Sequence, residues 1–214
     1  MASLLGRFRV ATTGGRSVGN ADFIGRPTLF AGWASWDASR EALPEIEAFH
    51  LKHAPGIEVC SVAFDVEGPG RPMRYYAAAL CSHTPLIDAS FVLCRAWDVK
   101  SLPFWILCDA RGVILARGGA FSARAVEAAL RKGVPAKGAS AKAAKSRFER
   151  GEFLLQTAGT FLSRARIDDA VRCVADAERL DPSNTLYRPQ RLALAHADRF
   201  YKGPIDAKWL KAQR

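Results

Sequence analysis

Two kinds of apolar pattern alternate along the chain. Short, nearly unbroken apolar runs occur at Thr28–Trp33, Ile57–Phe64 and Leu102–Cys108. Runs of that length, rich in Val, Ile, Phe and Trp and bounded by Pro, Gly or Asp, predict strands buried on both faces. Between them, apolar residues recur at helical spacing. Leu43, Ile46, Phe49 and His50 predict one helix, Arg71–Leu80 a second and Phe91–Trp97 a short third. Pro44 falls inside the first of these, where it removes a backbone hydrogen bond and predicts a kink. Thr84–Asp88 reads as a short strand or turn. Asp109–Gly112 is a tight turn, Val113–Gly118 a returning strand and Ala123–Lys132 an amphipathic helix. Residues 1–19, with Gly14-Gly15 and Gly19, read as an irregular basic arm with room for one hairpin strand.

The order is βαβαβ followed by ββα. Strands alternating with helices predict an α/β domain with a mostly parallel sheet. The tight turn at 109–112 makes its last pair antiparallel. That order is the one of a thioredoxin-like fold, placed at residues 20–133. A stretch dominated by Ala, Gly, Ser and Lys follows at 134–147 and reads as a basic linker. Beyond it, residues 148–214 are patterned as helices alone. Phe148–Leu162 and Ile167–Leu180 predict an antiparallel pair that ends at Asp181-Pro182. Ala158, Phe161, Ala170, Ala177 and Pro182 stand at the spacing of one tetratricopeptide-like repeat, in which small residues let two helices approach closely. One such pair cannot bury both its faces. It is expected to dock on the first domain, on a partner or on another copy of itself.

Charge and cysteine usage narrow the function classes. The formal charge of +10 favours acidic partners or anionic surfaces and says nothing of fold. Part of it is a basic strip, Lys137, Lys142, Lys145, Arg147 and Arg150, read first as a solvated tether and second as a contact for nucleic acid or an acidic protein. No apolar run approaches the ~18 residues of a membrane span, and the N-terminus lacks the apolar core of a secretory signal. A cytoplasmic, reducing setting is expected, although the Arg- and Ser-containing start has a weak likeness to a transit peptide. The five cysteines show no paired metal spacing, and no metal or cofactor is expected from motifs. Cys60 and Cys108 lie in strand patterns and read as small buried hydrophobes.

The chemistry converges on the turn after the first strand, Trp33-Ala34-Ser35-Trp36-Asp37-Ala38-Ser39-Arg40. In redox-active proteins of this fold, a cysteine at a helix N-terminus has its thiolate stabilised by the helix dipole and free N–H groups. Here the two reactive positions carry Asp37 and Ser39. A carboxylate suits a helix start but cannot form a disulfide. Asp37 is therefore read as a cap, ahead of an acid/base site with His50 or His83. Pro103 stands where such folds place a cis-proline. Leu102, Pro103, Trp36 and Trp33 are then candidates for a peptide-docking face, with a core-lining turn as the alternative. Cys81, beside Ser82-His83 on an expected loop, is the fallback thiol.

The segment Trp33–Arg40, followed by Leu43-Pro44, resembles the Trp-Ala-x-x-Sec-Gly-Cys motif of ResA/TlpA-like redoxin-family proteins. The resemblance continues through Val59–Asp65 with Gly68-Pro69, Leu86–Asp88, Leu102-Pro103, Asp109–Val113 and Phe200–Asp206 with Trp209. It implies thiol–disulfide or peroxide-type redox activity. It also puts Asp37 on the selenocysteine or cysteine of the motif and Ser39 on its cysteine. A redox-inactive relative, kept as a protein-binding or assembly subunit, is the expected function. An oxidoreductase working through Cys81 is the alternative, and a basic protein associated with nucleic acid is a third.

Overall fold

The structure, a computed structural model, describes residues 4–133 and 145–213, with the backbone alone for 145–150. Its strands are β1 (Arg9–Thr12), β2 (Ser17–Gly19), β3 (Thr28–Trp33), β4 (Glu58–Ala63), β5 (Thr84–Ile87), β6 (Phe104–Cys108) and β7 (Ile114–Gly118). They form one mixed sheet in the order β2-β1-β5-β4-β3-β6-β7. All six residues of β3 are buried, as the unbroken apolar run requires of a central strand. It pairs in parallel with β4, from Thr28↔Glu58 to Trp33↔Ala63, and antiparallel with β6, ending at Gly32↔Phe104. Gly32 is obligatory there. A Cβ at that position would stand 2.0 Å from the Phe104 ring.

Residues 4–19 belong to the sheet domain and are not an arm outside it. Thr12 and Arg16 close a hairpin, and β1 continues the sheet against β5. Leu5, Phe8, Val10 and Val18 are buried, with Phe8 edge-on to Trp97 at 5.2 Å between ring centres. Phe8 and Val10 alternate with Arg7 and Arg9 as in a strand, over too few residues for the pattern alone to place the hairpin in the sheet.

On the faces of the sheet lie α1 (Leu43–His53), α2 (Pro72–Ala78), α3 (Val92–Trp97) and α4 (Ala123–Lys132). Pro44 does not kink α1. The helix begins one residue earlier, so the missing N–H belongs to the first turn, where it has no partner in any helix. A 3-10 turn, Ala38–Ala42, leads into it.

The remaining helices are α5 (Lys145–Leu162), α6 (Ile167–Leu180), α7 (Tyr187–Ala195), α8 (Ala197–Tyr201) and α9 (Ala207–Ala212). Of the linker and basic strip, Lys137 and Lys142 lie outside the described residues, and Lys145, Arg147 and Arg150 fall on the first turns of α5. The hairpin of α5 and α6 packs through fully buried Ala158, Ala170, Val174 and Ala177. These residues share one core with Phe64, Phe91, Cys94 and Trp97 from the sheet side. Tyr187 of α7 stacks on Phe91 at 6.1 Å, and Arg95 bonds Glu152 at 2.8 Å. Of the three ways open to an unsupported helix pair, the fold shows docking on its own sheet domain.

Candidate functional site

The turn after β3 is held from every side by polar contacts. Asp37 caps the 3-10 turn, its Oδ1 accepting the Ser39 N–H at 2.8 Å, while its own N–H donates to Ala34 O at 3.1 Å. Ser39 is buried, and its Oγ accepts the Ala34 N–H at 3.3 Å. Beneath the turn, buried Asp65 accepts both the N–H of Ser35, at 3.1 Å, and its hydroxyl. Burial pushes the Asp65 carboxyl up to about 7, against the opposing pull of the Ser35 hydrogen bonds. No thiol takes part in this network.

Arg40 extends the network to the far end of the chain. Its guanidinium donates to Ser35 O at 2.7 Å, Phe200 O at 3.0 Å, Tyr75 Oη at 3.2 Å and Gly203 O at 3.4 Å. The segment after α8 is thereby drawn onto the turn, and the Arg71 guanidinium covers the neighbouring Tyr201 ring at 3.9 Å. Sequence reasoning quoted Arg40 as part of a motif and assigned it no role. Its partners are 160 residues away, and no local pattern marks them.

The two tryptophans do not form a docking face. Trp33 is fully buried and donates its Nε1–H to Tyr76 Oη at 3.1 Å. Trp36 is 2% exposed and donates to Phe64 O at 2.9 Å. Both rings fill the core because β3 is central and its flanking turn is covered by α2 and the segment after α8. The Leu102-Pro103 peptide is cis, as the motif position predicts, and half-buried beside the end of β3. Pro103 lines a cleft of about 260 Å³ with Lys100, Trp105 and Arg117 rather than a surface shared with the tryptophans.

Cys81 lies in a second polar cluster, next to β5. It is half-buried, and its thiol is pushed up to about 11 by burial and by the negative charge of Glu47. Glu47, a buried carboxylate of α1, organises this loop. It accepts the Ser82 N–H at 2.9 Å, the Ser82 hydroxyl, the His83 N–H at 3.3 Å and faces His83 Nδ1 at 2.6 Å. Against the cost of burial, those bonds hold Glu47 down at about 2. Glu47 escaped the sequence reading because its chemistry depends on contacts 35 and 36 residues away. His50, one turn further on, and His83 do not reach Asp37 in any hydrogen bond. Cys60, Cys94 and Cys108 are buried, their thiols raised chiefly by burial, and Cys173 is half-buried. No disulfide joins the described cysteines.

The helical part carries a groove of about 670 Å³ between α6, α7 and α9, lined by Glu178, Arg179, Pro182, Asn184, Arg188 and Leu210. Glu178 bonds Arg188 at 2.5 Å and Arg191 at 3.0 Å.

With the sheet order and the cis-proline on the page, solved structures of known type can be set beside the chain. It is similar to a putative thiol:disulfide interchange protein DsbE from Chlorobium tepidum. The TM-score is 0.55 and the identity 24%, over 61% of this chain and 95% of that one. A thiol-disulfide oxidoreductase from Bacteroides fragilis matches with TM-score 0.54 and 20% identity, over 62% of this chain and all of that one. A secreted Mycobacterium tuberculosis disulfide oxidoreductase, homologous to DsbE of E. coli, gives 0.51 and 18%, over 58% and 95%. The fold is thioredoxin-like. No protein-family model matches the sequence, and no curated protein matches it. The matches span little more than the length of the sheet-bearing part.

Proposed function

We propose that this chain is a thioredoxin-fold protein without thiol exchange at the usual turn, serving as a protein-binding subunit of a larger assembly. One observation carries this reading. Asp37 and Ser39 are spent on holding the turn, and Arg40 ties the segment at 200–203 across it. A carboxylate and a hydroxyl cannot exchange disulfides, and an approaching peptide meets the chain's own backbone. The α5–α6 hairpin is tetratricopeptide-like in the spacing of its small residues. The groove between α6, α7 and α9, whose Arg179 and Arg188 are already paired with Asp176 and Glu178, supports a protein segment as the partner in preference to nucleic acid, whose phosphates need free cations.

A second reading has its own support. The proteins of similar fold are described as thiol-disulfide oxidoreductases, and Cys81 is a half-buried thiol within the domain they share. Its raised pKa opposes a nucleophilic role, because the thiolate is the attacking species.

One experiment separates the two. Insulin disulfide reduction with dithiothreitol is followed for the wild type and for Cys81→Ser. The first reading expects both to match the uncatalysed rate. Turnover by the wild type that Cys81→Ser abolishes establishes the second. For binding, Arg179→Glu with Arg188→Glu is expected to release a partner co-purified with the wild-type protein, whereas Asp37→Ala keeps it. Retention by the double variant removes the groove from the reading.

A further inference from the structure

The cluster around Glu47 contains more metal-ligand chemistry than a loop anchor needs. One ligand atom each from Glu47, Cys81 and His83 lie within 4.8 Å of one another, the one such trio of donors found among the described residues. They come from two rigid pieces. Glu47 is on α1, and the Cys81-x-His83 pair leads into β5.

The hydrogen-bond order behind His83 gives an independent reason. Tyr76 Oη donates to Ser61 O at 3.0 Å and accepts the Trp33 Nε1–H at 3.1 Å. It also accepts the Ser61 hydroxyl at 3.1 Å. Ser61 Oγ also meets His83 Nε2 at 2.6 Å. His83 Nδ1 and the Glu47 carboxylate stand 2.6 Å apart, a hydrogen bond in which the ring N–H donates. A cation bound at that pair takes the place of the shared proton. A ring N–H that hydrogen-bonds behind the ligating nitrogen is how metal-bound histidines are oriented, and Ser61 Oγ stands where it can accept one from Nε2. His50 adds a second pointer. Its Nδ1 is buried without a hydrogen-bond partner, and its ring centre lies 6.1 Å from that of His83. Glu47 and His50 are three apart on α1 and share a face.

We propose that Glu47, Cys81 and His83 bind one divalent cation of the zinc class, with water in the fourth position and His50 beside it. A mixed set of thiolate, imidazole and carboxylate suits Zn²⁺ and disfavours Mg²⁺ or Ca²⁺, which take oxygen ligands. Binding releases the Cys81 thiol proton to solvent and moves the His83 proton from Nδ1 to Nε2, where Ser61 Oγ accepts its hydrogen bond. The half-buried Cys81 gives the ion its way in. The ion clamps α1 to the start of β5 and withdraws Cys81 from disulfide chemistry, whichever functional reading holds.

Cobalt(II) tests this on the full chain after chelator treatment. The wild type is expected to bind one equivalent, with visible bands of a tetrahedral site and a near-ultraviolet thiolate-to-cobalt band. Cys81→Ser, a conservative change at a half-buried position, is expected to lose the thiolate band. Glu47→Gln is expected to weaken binding at least tenfold, while Cys173→Ser leaves the spectrum unchanged. Zinc is expected to raise the thermal midpoint of the wild type and not of Cys81→Ser. Tryptophan fluorescence checks that each variant is folded. No cobalt bands from the folded wild type, a thiolate band that persists in Cys81→Ser, or unaltered affinity in folded Glu47→Gln each overturns the proposal.

Discussion

Replacing Arg40 by methionine tests whether the segment at 200–203 is fastened to the turn by that one guanidinium. Methionine keeps the apolar stem and removes every donor. Two bonds are short, to Ser35 O at 2.7 Å and to Phe200 O at 3.0 Å. Those to Tyr75 Oη and Gly203 O are longer and contribute little. A hydrogen bond from a charged donor contributes about 1.5–3 kcal/mol net, and the half-exposed setting argues for the lower end. Only the bond to Phe200 O, with the weak one to Gly203 O, crosses to the segment, so the variant should lose about 1.5–2 kcal/mol of that hold. Hydrogen exchange of the amides at 197–206, with urea unfolding alongside, measures this. Since about 1.4 kcal/mol is tenfold, protection there should fall roughly 10- to 30-fold, and the amides of β3 and β4 should keep theirs. Arg40→Lys should restore only part of it, because the ammonium lacks the rigid planar fork whose second nitrogen reaches Gly203 O. Unchanged exchange at 197–206 in the methionine variant would refute the fastening. Phe200 and the α7 packing would then hold the segment unaided.

Other predictions concern buried charge and close packing. Asp65 has its carboxyl raised from 3.8 to about 7, so the folded state holds the proton more tightly than the unfolded chain. Its contribution is complete below 3.8 and is lost as pH rises through about 7, at about 1.4 kcal/mol per pH unit between them. Asp65→Asn should flatten the urea stability profile over that range, leaving the similar slope from Asp88; an unaltered profile defeats this. Glu47 has the opposite sign, held at about 2 against an ordinary 4.5. Its contribution should be present above 4.5 and vanish as pH falls toward 2, and Glu47→Gln should blunt that acid limb in circular-dichroism titrations. Gly32→Ala drives a methyl into the Phe104 ring and should cost about 1–3 kcal/mol, measured by thermal unfolding. Asp37→Ala should cost only about 1 kcal/mol, the value of a cap, and a much larger loss would point to a role the turn geometry does not show.

The legibility of the fold followed the length of its patterns. β3, β4 and β6 are unbroken apolar runs, and the helix after the turn has its apolar residues at regular spacing, so both periodicities appear in any window. The N-terminal hairpin has only Val10 and Val18 facing inward on strands of four and three residues, too few to declare a period. At the site, the absence of thiols from the turn could be read directly from Asp37 and Ser39. What those residues do could be read in part, because a cap is a local interaction between neighbours. The tryptophans misled, since aromatic residues beside a turn suit a binding face and a core equally well, and only the strand order decides. Arg40 and Glu47 were beyond reach for another reason. Each earns its role from partners that are distant in sequence, and the spacing of such partners obeys no rule.

The shared core of sheet and helices has a consequence for how this chain can be handled and altered. A cut near residue 133 follows the apparent seam in composition, yet it would leave Phe64, Phe91 and Trp97 without the side chains that cover them. The sheet part cannot therefore be treated as a portable cassette, and the helices cannot be exchanged for another pair of equal length. A change at Val174 in α6 and one at Val62 in β4 disturb one contiguous interior. Phe91, stacked on Tyr187 where sheet and helices meet, carries damage from one to the other.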